Sequence, residues 1–99
     1  NYIVLGILTL AARKKLLYFS FREIIMRTID LHGRTIHDAW KVFIAFAYEK
    51  WLDKEKEIRV ITGHGAIQKE FPSWCDACQH VKRYETEPYN RGSFKVRLR

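Results

Sequence analysis

Two short motifs in this chain carry residue types that could move a proton and hold a phosphate: Ile29-Asp30-Leu31-His32-Gly33 and Thr62-Gly63-His64-Gly65. Asp30 and His32 are two residues apart, so at a strand end their side chains leave the same face and can act on one group. A carboxylate beside an imidazole fixes the ring's orientation, as general acid–base work requires. His32 is therefore the preferred proton-transfer group, with Asp30 as its orienter or as the base. The glycines flanking His64 let backbone N–H groups approach a phosphate where a helix begins and its dipole favours negative charge. The same residues also suit plain strand-to-helix junctions, with Asp30 a capping acid and His32 a turn histidine.

For these motifs to converge, each must close a strand of one sheet. Arg27 to Leu31 reads as a short strand, and Thr35 is an N-cap with Asp38 three residues on. Ile36, Trp40, Phe43, Ala47 and Trp51 then lay an apolar stripe along a helix to about Asp53, with Lys41, Glu49 and Lys50 on its solvated side. Ile58 to Ile61 makes a second, β-branched strand, which Gly63 and Gly65 end. A parallel crossover brings the two strand ends to one sheet edge.

A second helix is expected over about Ile67 to Cys78, with Pro72 marking an interruption or fresh start. Val81 to Glu87 is the third strand, Pro88 to Gly92 supplies turn residues, and Ser93 to Leu98 is the fourth. There Phe94, Val96 and Leu98 alternate with Lys95, Arg97 and Arg99, so an apolar inner face implies an outward row of positive charge. His37 is expected at the surface and His80 at the start of the third strand. The fold class is α/β: one compact two-layer βαβαββ domain with a four-stranded mixed sheet and two helices, plus an N-terminal extension.

Ninety-nine residues suit one domain, and three Trp, six Phe and five Tyr are enough for a core. The formal charge of +7 is unevenly spread: residues 1–34 and 81–99 each carry six basic and two acidic side chains, residues 35–80 six and seven. Such a balance favours a polyanionic partner, nucleic acid before an anionic membrane surface. Cys75 and Cys78 form a lone C-x-x-C without a second pair, so neither a four-thiolate zinc site nor a disulfide framework is expected, which points to the cytoplasm.

The apolar run from Asn1 to Ala12 is shorter than the roughly 20 residues of a membrane-spanning helix, and Arg13, Lys14 and Lys15 follow it rather than precede it as in a signal peptide. Stable membrane insertion is not expected. Met26, the chain's only methionine, stands just before the first motif. The functional domain is therefore expected over residues 27–99, with 1–26 an extension; Leu16, Leu17, Phe19, Phe21, Ile24 and Ile25 could instead cover a sheet face.

The order Ile-Asp-Leu-His-Gly, amphipathic helix, Val60 to Gly65, helix with Trp74, and closing Gly92-Ser93-Phe94-Lys95-Val96-Arg97-Leu98-Arg99 resembles the Smr (small MutS-related) domain family over about residues 27–99. The resemblance implies a domain that binds DNA or RNA and, in many members, cuts it as an endonuclease. Asp30 and His32 match the family's Asp-x-His, and Gly63-His64-Gly65 its Gly-x-Gly turn, so the catalytic candidates are Asp30, His32 and His64. At His64 the family often has Arg or Lys, which opens phosphate stabilisation as its role. The expected nucleic-acid contacts are Arg34, Gly63, Gly65, Lys69, Arg91, Lys95, Arg97 and Arg99. No protein-borne metal site is expected; a divalent cation, Mg²⁺ or Mn²⁺, is the one cofactor the reaction could call on. A non-catalytic nucleic-acid-binding module on the same basic face is the alternative. With no recognition helix for a DNA groove and no stacking motif for RNA, shape and phosphate recognition outrank sequence readout.

Overall fold

A computed structural model describes residues 27–99. The expectations placed on residues 1–26, an extension or a cover for the sheet, lie outside the described residues. The chain runs β1 (Thr28–Asp30), α1 (Ile36–Leu52), β2 (Glu57–Ile61), α2 (Ala66–Ala77), β3 (Val81–Glu87) and β4 (Asn90–Leu98), with the sheet in the order β1-β2-β4-β3. β1 and β2 are parallel, while β4 pairs antiparallel with both β2 and β3. This is the two-layer mixed α/β architecture expected from the sequence.

Period-two patterning splits the sheet into a buried and an open face. Ile29, Ile58, Val60, Phe94, Val96 and Leu98 point to the helices and are buried. Phe43 of α1 meets Phe71 of α2 edge to face at 4.8 Å, and Phe71 meets Phe94 of β4 at 4.7 Å. Phe71 thus joins both helices to the sheet.

The Thr35 hydroxyl accepts from the Asp38 amide at 3.1 Å, capping α1 where the sequence placed its start. The buried face of α1 is different from the predicted one. Ala39, Val42, Phe43, Phe46, Ala47 and even Lys50 face the core, whereas Ile36, Trp40 and Trp51 are exposed. Both stripes have helical spacing and share Phe43 and Ala47, and the inner one brings smaller residues that let the helix sit closer to the sheet. Lys50, placed on the solvated side from the sequence, is 4% exposed, with Nζ 5.4 Å from the Phe46 ring centroid.

Pro72 interrupts nothing: α2 is continuous from Ala66 to Ala77. Ile67 and Phe71 on one side of the proline, and Trp74 and Cys75 on the other, are all buried and offset the lost helical hydrogen bond. β4 starts at Asn90 rather than Ser93, because a tight Pro88-Tyr89 turn suffices to reverse the chain. His80 lies just before β3 and packs its ring 4.3 Å from that of Trp51. Burial, with Cys78 and Asp76 adding, pushes the Cys75 thiol far above its ordinary range, so it stays protonated in the core.

On the open face, Arg59 of β2 bonds Glu87 of β3 across β4. Burial alone would raise the Glu87 carboxyl, but hydrogen bonds from Arg59 and Ser93 and the Arg59 and Lys95 charges outweigh it and hold the carboxyl below its ordinary value of 4.5. A depressed folded-state value stabilises the fold above that ordinary value, and the contribution is lost as pH falls through the folded-state value. Wild type is expected to melt above Glu87→Gln at neutral pH, with the gap closing at pH below 4.5. A gap unchanged by acid in a calorimetric pH series would show that the carboxylate charge contributes nothing.

Candidate active site

The site is built where β1 and β2 end side by side. Asp30 pairs with Ile61 in the parallel register, and the Leu31 amide donates to the Ile61 carbonyl at 2.7 Å, so both strands release their loops at the same level. Past this point Gly33 and Gly63 take positive φ, +80° and +76°, and turn the chain toward the two helices.

Asp30 Oδ1 accepts the His32 backbone N–H at 3.0 Å and lies 2.5 Å from His32 Nδ1. The first contact holds the loop and the second holds the ring. When Nδ1–H donates to this carboxylate, the neutral ring has its lone pair on Nε2, the nitrogen left free to take a proton. The two side chains are 66% and 44% exposed for His32 and Asp30, so a polymer has access to them.

His32, Gly33, Arg34, Thr62, Gly63, His64 and Gly65 line one open cleft of about 310 Å³ with the first residues of α2. That size is near the lower end of ligand pockets, about 300–1,000 Å³. An open cleft of this kind suits one unit of a longer chain better than an enclosed metabolite. Gly65 is the N-cap of α2 and supplies no side-chain cap, so the first amides of the helix remain available to an anion.

β4 completes the arrangement from the far side. The Gly92 carbonyl accepts from the amides of Thr62 and Gly63 at 2.8 and 2.9 Å and from the Thr62 hydroxyl at 3.1 Å. A Cβ on Gly92 would lie 3.0 Å from His64 Nε2, so the absent side chain is what lets the His64 ring lie against the strand. Gln68 of α2 donates to the Arg91 carbonyl at 2.7 Å and fastens the same corner. Gly92 entered the sequence reading as a turn residue leading into the last strand, and Gln68 and Thr62 not as site residues; contacts between residues 23 and 30 positions apart leave no local signal.

The expected contacts therefore fall into two groups. His32, Arg34, Gly63, His64 and Gly65 share the cleft, Asp30 supports His32, Lys69 is exposed on the first turns of α2, and Arg91 adjoins Gly92. Lys95, Arg97 and Arg99 instead run away from the cleft along β4. Lys95 and Arg97 both face Glu57, at 3.8 and 3.9 Å, so their charge is partly met within the sheet. Among the described residues no three His, Cys, Asp or Glu side chains converge to hold a metal ion. Among the same residues, no helix is long and apolar enough to cross a membrane.

Gly63→Ala is expected to destabilise the domain by about 1–2 kcal/mol, the cost of a left-handed backbone for a residue with a Cβ. The new methyl also meets the His32 Cβ at 3.3 Å, an atom fixed to the backbone that cannot swing away. A urea midpoint unchanged from wild type would show that this turn relaxes freely.

A solved structure confirms the architecture: the crystal structure of the Smr domain of Thermus thermophilus MutS2 superposes with a TM-score of 0.70 at 19% identity, covering 73% of this chain and 96% of that one. No curated protein sequence matches the chain significantly. The Smr domain family itself matches over residues 29–98, a span that contains both motifs, the helices between and after them, and the closing strand. The chain belongs to the Smr domain family.

Proposed function

We propose that this domain binds nucleic acid and cuts its phosphodiester backbone as an endonuclease. Membership in a family of nucleic-acid-binding and nuclease-related domains supports the first half. The observation that carries the second is the Asp30–His32 pair, one carboxylate oxygen bonded to both the ring Nδ1 and the loop amide. His32 Nε2 takes the proton of the attacking hydroxyl, from water or from a ribose 2′-OH in RNA. The new P–O bond forms as the bond to the leaving oxygen breaks, and that oxygen takes a proton from solvent or from His64 in its imidazolium form. Negative charge gathering on the phosphoryl oxygens faces Arg34 and the uncapped amides of α2.

The exposure of the pair favours one competing reading, in which the same groups only contact phosphate and the domain is a non-catalytic binding module. Incubating the full chain with supercoiled plasmid and with structured RNA, in Mg²⁺, Mn²⁺ or EDTA, separates the two. Cutting of either polymer supports the nuclease and identifies its substrate, while retention on nucleic acid without cutting supports the module. Failure to bind either polymer overturns both.

A further inference from the structure

The open sheet face has positive charge at both ends and an ion-paired middle. Arg59 is taken by Glu87, and Lys95 and Arg97 share Glu57. Beyond them, at the end opposite the active site, Lys56, Lys82, Arg97, Leu98 and Arg99 line a second cleft of about 430 Å³. Among the described residues, Lys56, Lys82 and Arg99 form no ion pair, and Arg97 has only the 3.9 Å contact to the shared Glu57. Three separate segments supply these cations: the turn before β2, the start of β3 and the end of β4.

Main-chain bonds hold those segments together. The Leu98 amide donates to the Lys56 carbonyl at 2.8 Å, and the Arg99 amide to the His80 carbonyl at 2.9 Å. The backbone thus holds four like charges around one concavity, at a cost in mutual repulsion that a bound polyanion would relieve.

We infer that this Lys56–Lys82–Arg97–Arg99 cleft is a second phosphate-binding site, which holds the nucleic-acid strand at a distance from the point of cutting. The inference rests on the nucleic-acid reading above and adds to it a direction and a minimum length. Gly92, under His64, and Arg99 are seven residues apart on an extended strand, about 23 Å at about 3.3 Å per residue. One strand of a duplex advances about 3.4 Å per nucleotide, so a substrate that engages both clefts extends about seven nucleotides along β4. The partly neutralised middle lets the polymer pass over without pinning it there.

The test compares the full chain with Lys56→Gln/Lys82→Gln and Lys56→Arg/Lys82→Arg, in binding titrations on a labelled duplex of about 15 base pairs, twice the proposed span, over a series of salt concentrations. Both lysines are exposed and only their side chains change, and melting curves check that each variant is folded. Two lost phosphate contacts should flatten the slope of log K against log salt by about 1.8 and weaken binding at least about tenfold near 0.1 M salt, while the arginine variant keeps the wild-type slope. A glutamine variant with wild-type slope and affinity overturns the second site and leaves the proposed function standing. Absence of duplex and RNA binding by the wild-type chain overturns both.

Discussion

Asp30→Asn is expected to lower the rate of phosphodiester cleavage by about 10²–10⁴, the usual contribution of a positioned acid–base group, while leaving nucleic-acid binding nearly unchanged. The substitution keeps the shape of the side chain, and one amide oxygen can still accept the loop amide that Asp30 now accepts at 3.0 Å. It cannot also accept Nδ1–H with a full negative charge. The ring loses the partner that places its free lone pair on Nε2, and any imidazolium formed during proton transfer loses its counter-charge. His32→Ala should cost a similar factor, and the double variant little more than either single one, because the two residues act as a unit. Multiplicative losses in the double variant would show that Asp30 and His32 act separately. A large loss of binding in Asp30→Asn would assign the residue to holding the loop. Gel-resolved cleavage rates, paired with retention of a labelled substrate, read both quantities.

The largest effect on stability is expected from Phe71→Ala. The ring is fully buried and touches Phe43 of α1 and Phe94 of β4, with Trp74 at 6.2 Å. Removing it leaves a cavity where both helices meet the sheet, at a cost of about 3–5 kcal/mol. A domain of about 73 residues has roughly 4–11 kcal/mol to lose. The melting temperature should therefore drop by about 12 °C or more, and the variant should be largely unfolded where the wild type is merely warm. Cleavage per folded molecule should stay close to wild type, since Phe71 does not line the cleft. A loss under about 1 kcal/mol would mean that neighbouring side chains close over the vacancy.

The contrast between these two sites explains what could be read from the sequence. The order of elements was legible because its signals are local: the Thr35 cap, the β-branched run at Ile58 to Ile61, and the alternation of Phe94, Val96 and Leu98. The Asp30–His32 contact was legible for the same reason, since two residues of strand geometry nearly determine it. The buried face of α1 was not. Apolar residues surround most of that helix, and only the sheet it meets decides that Ala39 and Phe46 go in while Trp40 and Trp51 stay out. The placement of His64 against Gly92 was equally hidden, because it depends on the register between β2 and β4, where Ile61 lies opposite Ser93. The basic row was read correctly as a row, but its acidic neighbours Glu57 and Glu87 come from other strands and could not be assigned to it.

The hydrogen bonds that converge on the Gly92 carbonyl bear on the order of events during synthesis. β2 is a central strand whose antiparallel neighbour is β4, and the Thr62–Gly63 corner is held by a residue that emerges about thirty positions later. At about 5–20 residues per second, the second motif waits roughly 2–7 s, and the first roughly 3–13 s, between its own translation and the completion of β4. Until then the first strand pair is a short parallel ladder with one side open, and the His64 ring has nothing to lie against. On the proposed nuclease reading, the polypeptide is made next to its messenger in an unassembled form, and the corner that holds His64 is complete only when the closing strand of the domain is in place.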